Sequence, residues 1–419
     1  MNALACATSA AATPALSLRL VTSIAELRGL APAWQELLEE SSAAQPMCAP
    51  AWLLTWWENY GRHRQLRVGL FYEGKRLVGL APLCRRTYWY RPGIPFRRLE
   101  FLGSNVDEDD GVCSEYLNFI VRQGLEEPVA NAFAEALHAG AFGRWDECVF
   151  SAMDNADALT AALTAHRSTR RPSGCSVEQH HIDRSPYVPL PATWEEYLHS
   201  FNKKKRQSLT YALRDFHVWA ETDWSLTVAQ TEEELERGLQ ILMKLHRQRW
   251  QADGHDGAFA APRFRMFHEQ FARQALRQGQ LLLMWITVRG APVAALYGFS
   301  ADGKVYFYQC GRVLDVPTKV RLGIVLVIFA LQLAMQRGLC EFDFLAGAAQ
   351  YKQLFATAAR PIFEVRLARR GAREFLRLLA HKALGLGRTV RRSAGALANP
   401  MQFLATKPVL ARPTTVNLS

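Results

Sequence analysis

Apolar and polar positions repeat one order of elements in two stretches of the chain. Leu66 to Tyr72 alternates with the period of a strand, Glu73-Gly74-Lys75 turns it, and Leu77 to Leu83 runs back. Further on, Leu281 to Val288 alternates, Arg289-Gly290-Ala291 turns, and Val293 to Phe299 returns. The glycine in each turn suits a tight hairpin. A helix and then a strand follow each hairpin: Glu126 to Ala139 with Trp145 to Phe150, and Gly323 to Gln336 with Cys340 to Leu345. The shared order predicts an α/β protein of two tandem domains, each a mixed central sheet flanked by helices.

Other segments fit around these units. Helices are expected at Glu26 to Ser41, at the tryptophan-rich Pro50 to Tyr60, at Trp194 to Glu221 as one helix, and at Thr231 to Gln251. Thr231 with Glu234 three residues on reads as a capping box. Prolines cluster from Pro186 to Ala192, and the boundary between halves is placed there. The expected divisions are a flexible terminus at 1–16, domains at 17–190 and 191–365, and a basic helical tail at 366–419.

The second half differs from the first at its long helix. Val305 to Cys310 reads as a strand, and a loop with Arg312, Lys319 and Arg321 leads to Gly323 at the helix start. Free N–H groups and the helix dipole favour an anion there, and the cations add to the attraction. The matching helix of the first half begins with Glu126-Glu127, which would repel a diphosphate. Only the second half is expected to hold a polyphosphate.

Composition narrows the class. The 419 residues are 49% hydrophobic and 21% charged, which argues against global disorder. The net charge, 50 − 39 = +11, suits an anionic partner. Eight cysteines are scattered without a C-x-x-C pair, so neither a disulfide framework nor a metal site is expected. Cys310 and Cys340 are expected to be small buried hydrophobes. The start of the chain lacks a secretory pattern, and the run Gly323 to Met335 is too short to span a bilayer. A cytoplasmic protein is expected. The basic tail, with Arg366, Arg369, Arg370, Arg373, Arg377, Lys382, Arg388, Arg391 and Arg392 among leucines, is expected to be solvated or partly disordered, since Gly385, Gly387 and Gly395 interrupt it, with peripheral contact to an anionic membrane as the alternative.

Several residues are candidates for chemistry. Asp343 sits between Phe342 and Phe344 with its side chain on the opposite face, so it must be paired or face a cleft. It is read either as a general base or as an anchor to Arg249 or Lys352, with Glu341 on the same face. His246, Arg249 and Trp250 share one helix face and are expected to line a substrate cleft. The run Lys203-Lys204-Lys205-Arg206 is a solvated face or a contact for a cofactor's phosphates, an acidic acceptor or tRNA. No Ser-His-Asp or Cys-His order stands out.

Several segments together resemble a family. They are Gly290-Ala291-Pro292-Val293, Phe307-Tyr308-Gln309-Cys310-Gly311, Gly338 to Gly347 and Tyr351-Lys352, with Ala49-Pro50-Ala51-Trp52-Leu53 and Leu245 to Trp250 upstream. They resemble the CelD-like acetyltransferases of the GNAT superfamily, a branch tied to cellulose biosynthesis and related in layout to the Fem aminoacyltransferases. Where that family usually has Ser-Pro-Gly, this chain has Arg321-Leu322-Gly323.

The resemblance implies two tandem GNAT-like domains, the second transferring an acetyl or other acyl group from acyl-CoA to a small-molecule amine or hydroxyl acceptor. Lys319, Arg321, Gly323, Ile324, Tyr308 and Gln309 would contact the cofactor, and Tyr351 and Asp343 would handle protons. His246, Arg249, Trp250 and Lys352 would face the acceptor, with no metal involved. A Fem-like use of aminoacyl-tRNA is the alternative, the one role for nucleic acid. A non-catalytic scaffold for polysaccharide synthesis is a third reading.

Overall fold

The computed structural model describes residues 16–104, 110–169, 174–347 and 349–382. The N-terminus and the tail beyond 382, including Arg388, Arg391 and Arg392, lie outside the described residues. The first half opens with β1 (Leu16–Val21), α1 (Ile24–Gly29), α2 (Ala31–Glu39) and α3 (Pro50–Tyr60). Then come β2 (Gln65–Leu66), β3 (Val68–Glu73), β4 (Arg76–Ala81), β5 (Leu83–Tyr90), β6 (Ile94–Phe101) and β7 (Ile120–Val121). α4 (Glu126–Ala139), β8 (Glu147–Met153) and α5 (Asp157–Thr169) complete it.

β9 (Cys175–Pro189) leads into the second half, with α6 (Trp194–His199), α7 (Lys203–Ala220), β10 (Trp224–Val228), α8 (Glu232–Gln251) and α9 (Pro262–Arg277). The strands β11 (Leu281–Val288), β12 (Ala291–Ala301) and β13 (Lys304–Arg312) precede α10 (Leu322–Gln336). β14 (Glu341–Asp343), α11 (Lys352–Phe355), β15 (Ala358–Arg369) and α12 (372–382) end the described chain.

Both expected hairpins form, as β3–β4 and β11–β12. The strand expected from Leu66 to Tyr72 breaks at Arg67, whose backbone N–H turns to Leu83 O at 2.9 Å. Pro82 then separates β4 from β5, having no N–H to continue the ladder. This splits the first half between two sheets: β1-β3-β4-β7 is one, and β5 joins the other. The second sheet has eleven strands in the order β10-β11-β12-β13-β14-β9-β15-β8-β6-β5-β2.

The large sheet runs through both halves, across the expected division at 190/191. Pro186 lies within β9, not in a linker, and Tyr187 to Pro189 pair with β14. β15 then pairs with β9 from Ala358↔Tyr187 to Arg369↔Cys175 and with β8 beyond it. The last strand of the second half is thus laid into the first.

β11 shows why the second half is apolar without interruption. Leu283 and Trp285 join one buried cluster, whereas Leu282, Met284, Ile286 and Val288 join another on the opposite face. A strand covered on both sides loses the usual polar alternation. α8 and α9 cover one face. α10, buried nearly all round, covers the other with α7, and Phe329 stacks on Trp224 at 5.4 Å. The helix expected as one from Trp194 to Glu221 is two, because the Asn202 side chain accepts from Lys205 N at 2.9 Å and starts α7 afresh.

Aromatic contacts join the halves. Trp52 of α3 meets Phe267 and Phe271 of α9 edge-on at 4.8 Å, and Gln274 donates to Thr55 at 2.9 Å. Among the described residues, no helix is long and apolar enough to cross a membrane.

Candidate active site

The site begins where two parallel strands part. β13 and β14 pair only from Lys304↔Glu341 to Tyr306↔Asp343. Beyond that point β13 continues to Arg312, while β14 ends and Leu345 and Gly347 take positive φ values of 57° and 109°. On its other side β13 carries a bulge against β12: Tyr297 pairs with Gln309 but Gly298 with Phe307, leaving Tyr308 as the extra residue. A bulge removes one residue from the ladder and re-aims its neighbours. Gly298 is what permits it, since a Cβ there would collide with the Tyr306 carbonyl oxygen.

The gap opens into a cavity of about 790 Å³. Its walls are the backbone from Phe307 to Arg312, the start of α10 and the turn before α11. Phe307, Phe344, Leu326 and Val327 make the inner part apolar. The start of α10 borders the cavity with Arg321, Leu322, Gly323 and Ile324, and no side chain caps this helix. Ile324 N and Val325 N bond to the Arg321 carbonyl at 2.9 and 3.1 Å, so an anion there would meet the N–H groups of Leu322 and Gly323. Gly323 keeps the approach open, with only the Arg312 side chain near where a Cβ would stand.

The cations are arranged differently from the sequence expectation. Arg321 lines the cavity, but its guanidinium donates to the Ser208 hydroxyl at 3.1 Å and to the Ser208 carbonyl, tying α10 to α7. Lys319 is exposed and does not line the cavity. Arg312 and Arg249 line the wall instead. Burial holds the Arg312 guanidinium below its ordinary range, and the nearby Arg249 charge adds to the effect. An anion between the two would relieve their repulsion. Arg249 also pairs with Asp253.

Tyr351, Cys310 and Lys352 also line the cavity. Burial pushes the Tyr351 phenol well up, so it keeps its proton at neutral pH. Burial raises the Cys310 thiol to about 11, and the half-buried side chain both lines the cavity and packs against the apolar core. Cys340 is exposed, correcting its expected burial. The Lys352 Nζ donates to the carbonyls of Leu345 at 3.0 Å and Ala346 at 2.6 Å. Burial lowers its affinity for a proton, and the neighbouring Glu115 works the other way.

Glu115 comes from the first half and carried no motif in the sequence. Its carboxylate accepts from Ala346 N at 2.5 Å and from Ser185 at 3.3 Å. Glu115 and Lys352 thus hold the Ala346 peptide from both ends. Burial pushes the Glu115 carboxyl up, with Asp343 adding to the rise.

Asp343 is fully buried and does not line the cavity. It accepts from Tyr116 Oη and from Leu345 N, each at 2.7 Å, and Arg360 approaches to 3.8 Å while pairing with Glu341 at 2.6 Å. Its partner is therefore Arg360, neither Arg249 nor Lys352. Burial raises the carboxyl to about 6. The network is closed, which suits an anchor better than a base in contact with substrate.

Of the expected acceptor-side group, Arg249, Trp250 and Lys352 reach the cavity and His246 does not. His246 is buried behind β13, and burial lowers it to about 4, so it is neutral at pH 7. Tyr308 borders the cavity, while its ring lies 4.7 Å from His268 in the core and its hydroxyl accepts from Cys113 N at 3.1 Å. Among the described residues, no group of three His, Cys, Asp or Glu could hold a metal ion.

The start of α4, the counterpart in the first half, is closed by its own residue. Glu126 accepts from Gly124 N at 2.8 Å and from Ser42 at 3.3 Å.

Similarities to known proteins concern the fold and the second half of the chain. No curated protein matches the chain. Among solved structures, FemX superposes with a TM-score of 0.56 at 10% identity, covering 83% of this chain and 96% of FemX. Looser likenesses include a tandem GNAT protein from the clavulanic acid biosynthesis pathway (TM-score 0.41, 13% identity, 85% of this chain and 99% of that one). Another is the C-terminal domain of a lysylphosphatidylglycerol synthetase from Agrobacterium fabrum (TM-score 0.47, 12% identity, 86% and 97%). Residues 203–353, from α7 to the start of α11, match the model of the acetyltransferase (GNAT) domain family. On a mixed α/β fold like that of FemX, the second half of the chain is thus similar to a GNAT acetyltransferase domain.

Proposed function

We propose that this protein transfers an acyl group from acyl-CoA to an amine or hydroxyl of a small molecule, with the reaction centred between β13 and β14. The observation that carries the reading is the meeting, in one cavity, of a strand gap, a bulge at Tyr308 and an uncapped helix start at Gly323. The diphosphate of CoA would sit on the first turn of α10 with Arg312 and Arg249 nearby. Its pantetheine arm would follow the strand gap past Phe307 and Phe344.

The backbone around Tyr308 and Gln309, beyond the end of the pairing with β14, would polarise the thioester carbonyl. The acceptor's nitrogen or oxygen forms the new bond to the acyl carbon as the carbon–sulfur bond breaks. Its proton leaves through the Lys352–Glu115 pair, and Tyr351 protonates the departing thiolate. We place the acceptor among sugar amines and hydroxyls of envelope polysaccharide precursors, on the resemblance to the CelD-like branch.

Calorimetric titration with CoA, acetyl-CoA and longer acyl-CoAs tests this reading. Binding is expected, weakened by at least about tenfold in Arg312→Glu, which sets a negative charge beside the helix start. Absence of heat with every CoA species would overturn it. Tight binding of aminoacyl-tRNA instead would move the donor to the Fem-like alternative.

A further inference from the structure

The helix that closes the described chain has its apolar side facing outward. In α12 the side chains of Phe375, Leu376, Leu378 and Leu379 are 61, 50, 45 and 48% exposed, whereas Glu374 is 5% exposed. Ion pairs make the seat. Arg366 donates to the two Glu374 oxygens at 2.9 and 2.7 Å, and Arg377 does the same. Arg366 also reaches Glu147 of β8 at 3.0 Å, and Arg373 reaches Asp146 at 2.9 Å.

With 3.6 residues per turn, Leu378, Phe375, Leu379 and Leu376 share one arc of about 160°, opposite Arg373, Arg377 and Glu374. A helix of a globular protein normally buries its apolar stripe. Here the charged stripe is fixed to the sheet and the apolar stripe is left outward.

The charge of the adjoining sequence indicates what covers it. From Phe375 onward the chain has seven Lys or Arg residues and no Asp or Glu. Exposed leucines and phenylalanine beside an unbroken positive charge match the boundary of an anionic bilayer, where apolar side chains enter and basic ones stay at the headgroups. Lys382, on the apolar arc one turn on, is long enough to reach back to the headgroups.

We propose that α12 seats the protein on an anionic membrane surface through Phe375, Leu376, Leu378 and Leu379. This surface is independent of the acyl-transfer site. The ion pairs to Arg366 and Asp146 hold the helix rigidly on the sheet, so that it presents its apolar face already formed.

The test is sedimentation of the full chain with vesicles of phosphatidylcholine, with and without phosphatidylglycerol. The wild type is expected to sediment with the anionic vesicles, less so at high salt, and at least about tenfold less with phosphatidylcholine alone. The triple variant Phe375→Ser/Leu376→Ser/Leu379→Ser should lose this binding while keeping its melting temperature, because its positions are exposed. Equal sedimentation of wild type and variant would overturn the proposal, as would no sedimentation of either. A wild-type dimer that the variant dissolves, with vesicle binding unchanged, would also overturn it and assign the face to a second copy of the chain.

Discussion

The Tyr116 hydroxyl of the first half donates to the Asp343 carboxylate of the second at 2.7 Å, with neither side chain open to solvent. Tyr116 itself sits at a positive φ of 60°, so the loop is shaped to deliver that hydroxyl. Tyr116→Phe should destabilise the fold by about 2 kcal/mol, the usual scale for a buried hydrogen bond to a charged group. Denaturant unfolding would measure it, and an unchanged midpoint would show that the contact contributes nothing.

Two buried groups contribute to the pH dependence of stability with opposite signs. Burial raises the Asp343 carboxyl from 3.8 to about 6, so its ionisation costs the folded state, and stability falls as pH rises through that window. Burial lowers His246 from 6.5 to about 4, so its protonation costs the folded state, and stability falls as pH drops through that window. In the wild type the two oppose each other. Asp343→Asn removes the first and should leave a curve that falls more steeply on acidification. Thermal melts of both proteins across pH 4 to 6.5 would show the difference, on the order of 3 kcal/mol at most.

Gly323→Ala separates folding from binding. The space at this Cβ meets only the Arg312 side chain at 3.5 Å, an ordinary contact. Alanine in the first turn of a helix should stabilise the fold by about 0.5 kcal/mol. The same methyl stands where a diphosphate would approach the N–H groups, so CoA affinity should fall by about tenfold or more. A variant that melts higher and binds CoA equally well would remove the helix start from the site.

Gly298→Ala acts on the bulge. Its methyl would run into the backbone carbonyl of Tyr306, and only a shift of strand β13 can make room. The expected cost is about 2 kcal/mol or more, with loss of CoA binding in the protein that does fold. Circular dichroism melting and the same titration would check both.

Much of the layout could be read along the chain because it depends on local pattern. Both hairpins follow from alternation and a turn glycine, and α10 follows from an apolar run starting at Gly323. The break at Asn202 was also local, an Asn placed to cap, but the charged run after it reads as uninterrupted helix. Residues brought together from far apart were not legible. Glu115 and Tyr116 stand in a loop without periodicity and meet Ala346 and Asp343 only through the packing of the halves. Arg312 was visible as a loop cation. That it faces the cavity while Arg321 turns to Ser208 depends on where α7 packs against α10.

The long pairing of β9 with β15 has a bearing on how this molecule can be handled. A cut near residue 190 would strip the C-terminal piece of a neighbour for β14 and β15, and leave the N-terminal piece with a bare edge along β8. Neither fragment would be expected to persist alone, and unfolding should proceed in one step rather than two. The halves repeat a plan, yet they share a spine and stand or fall together.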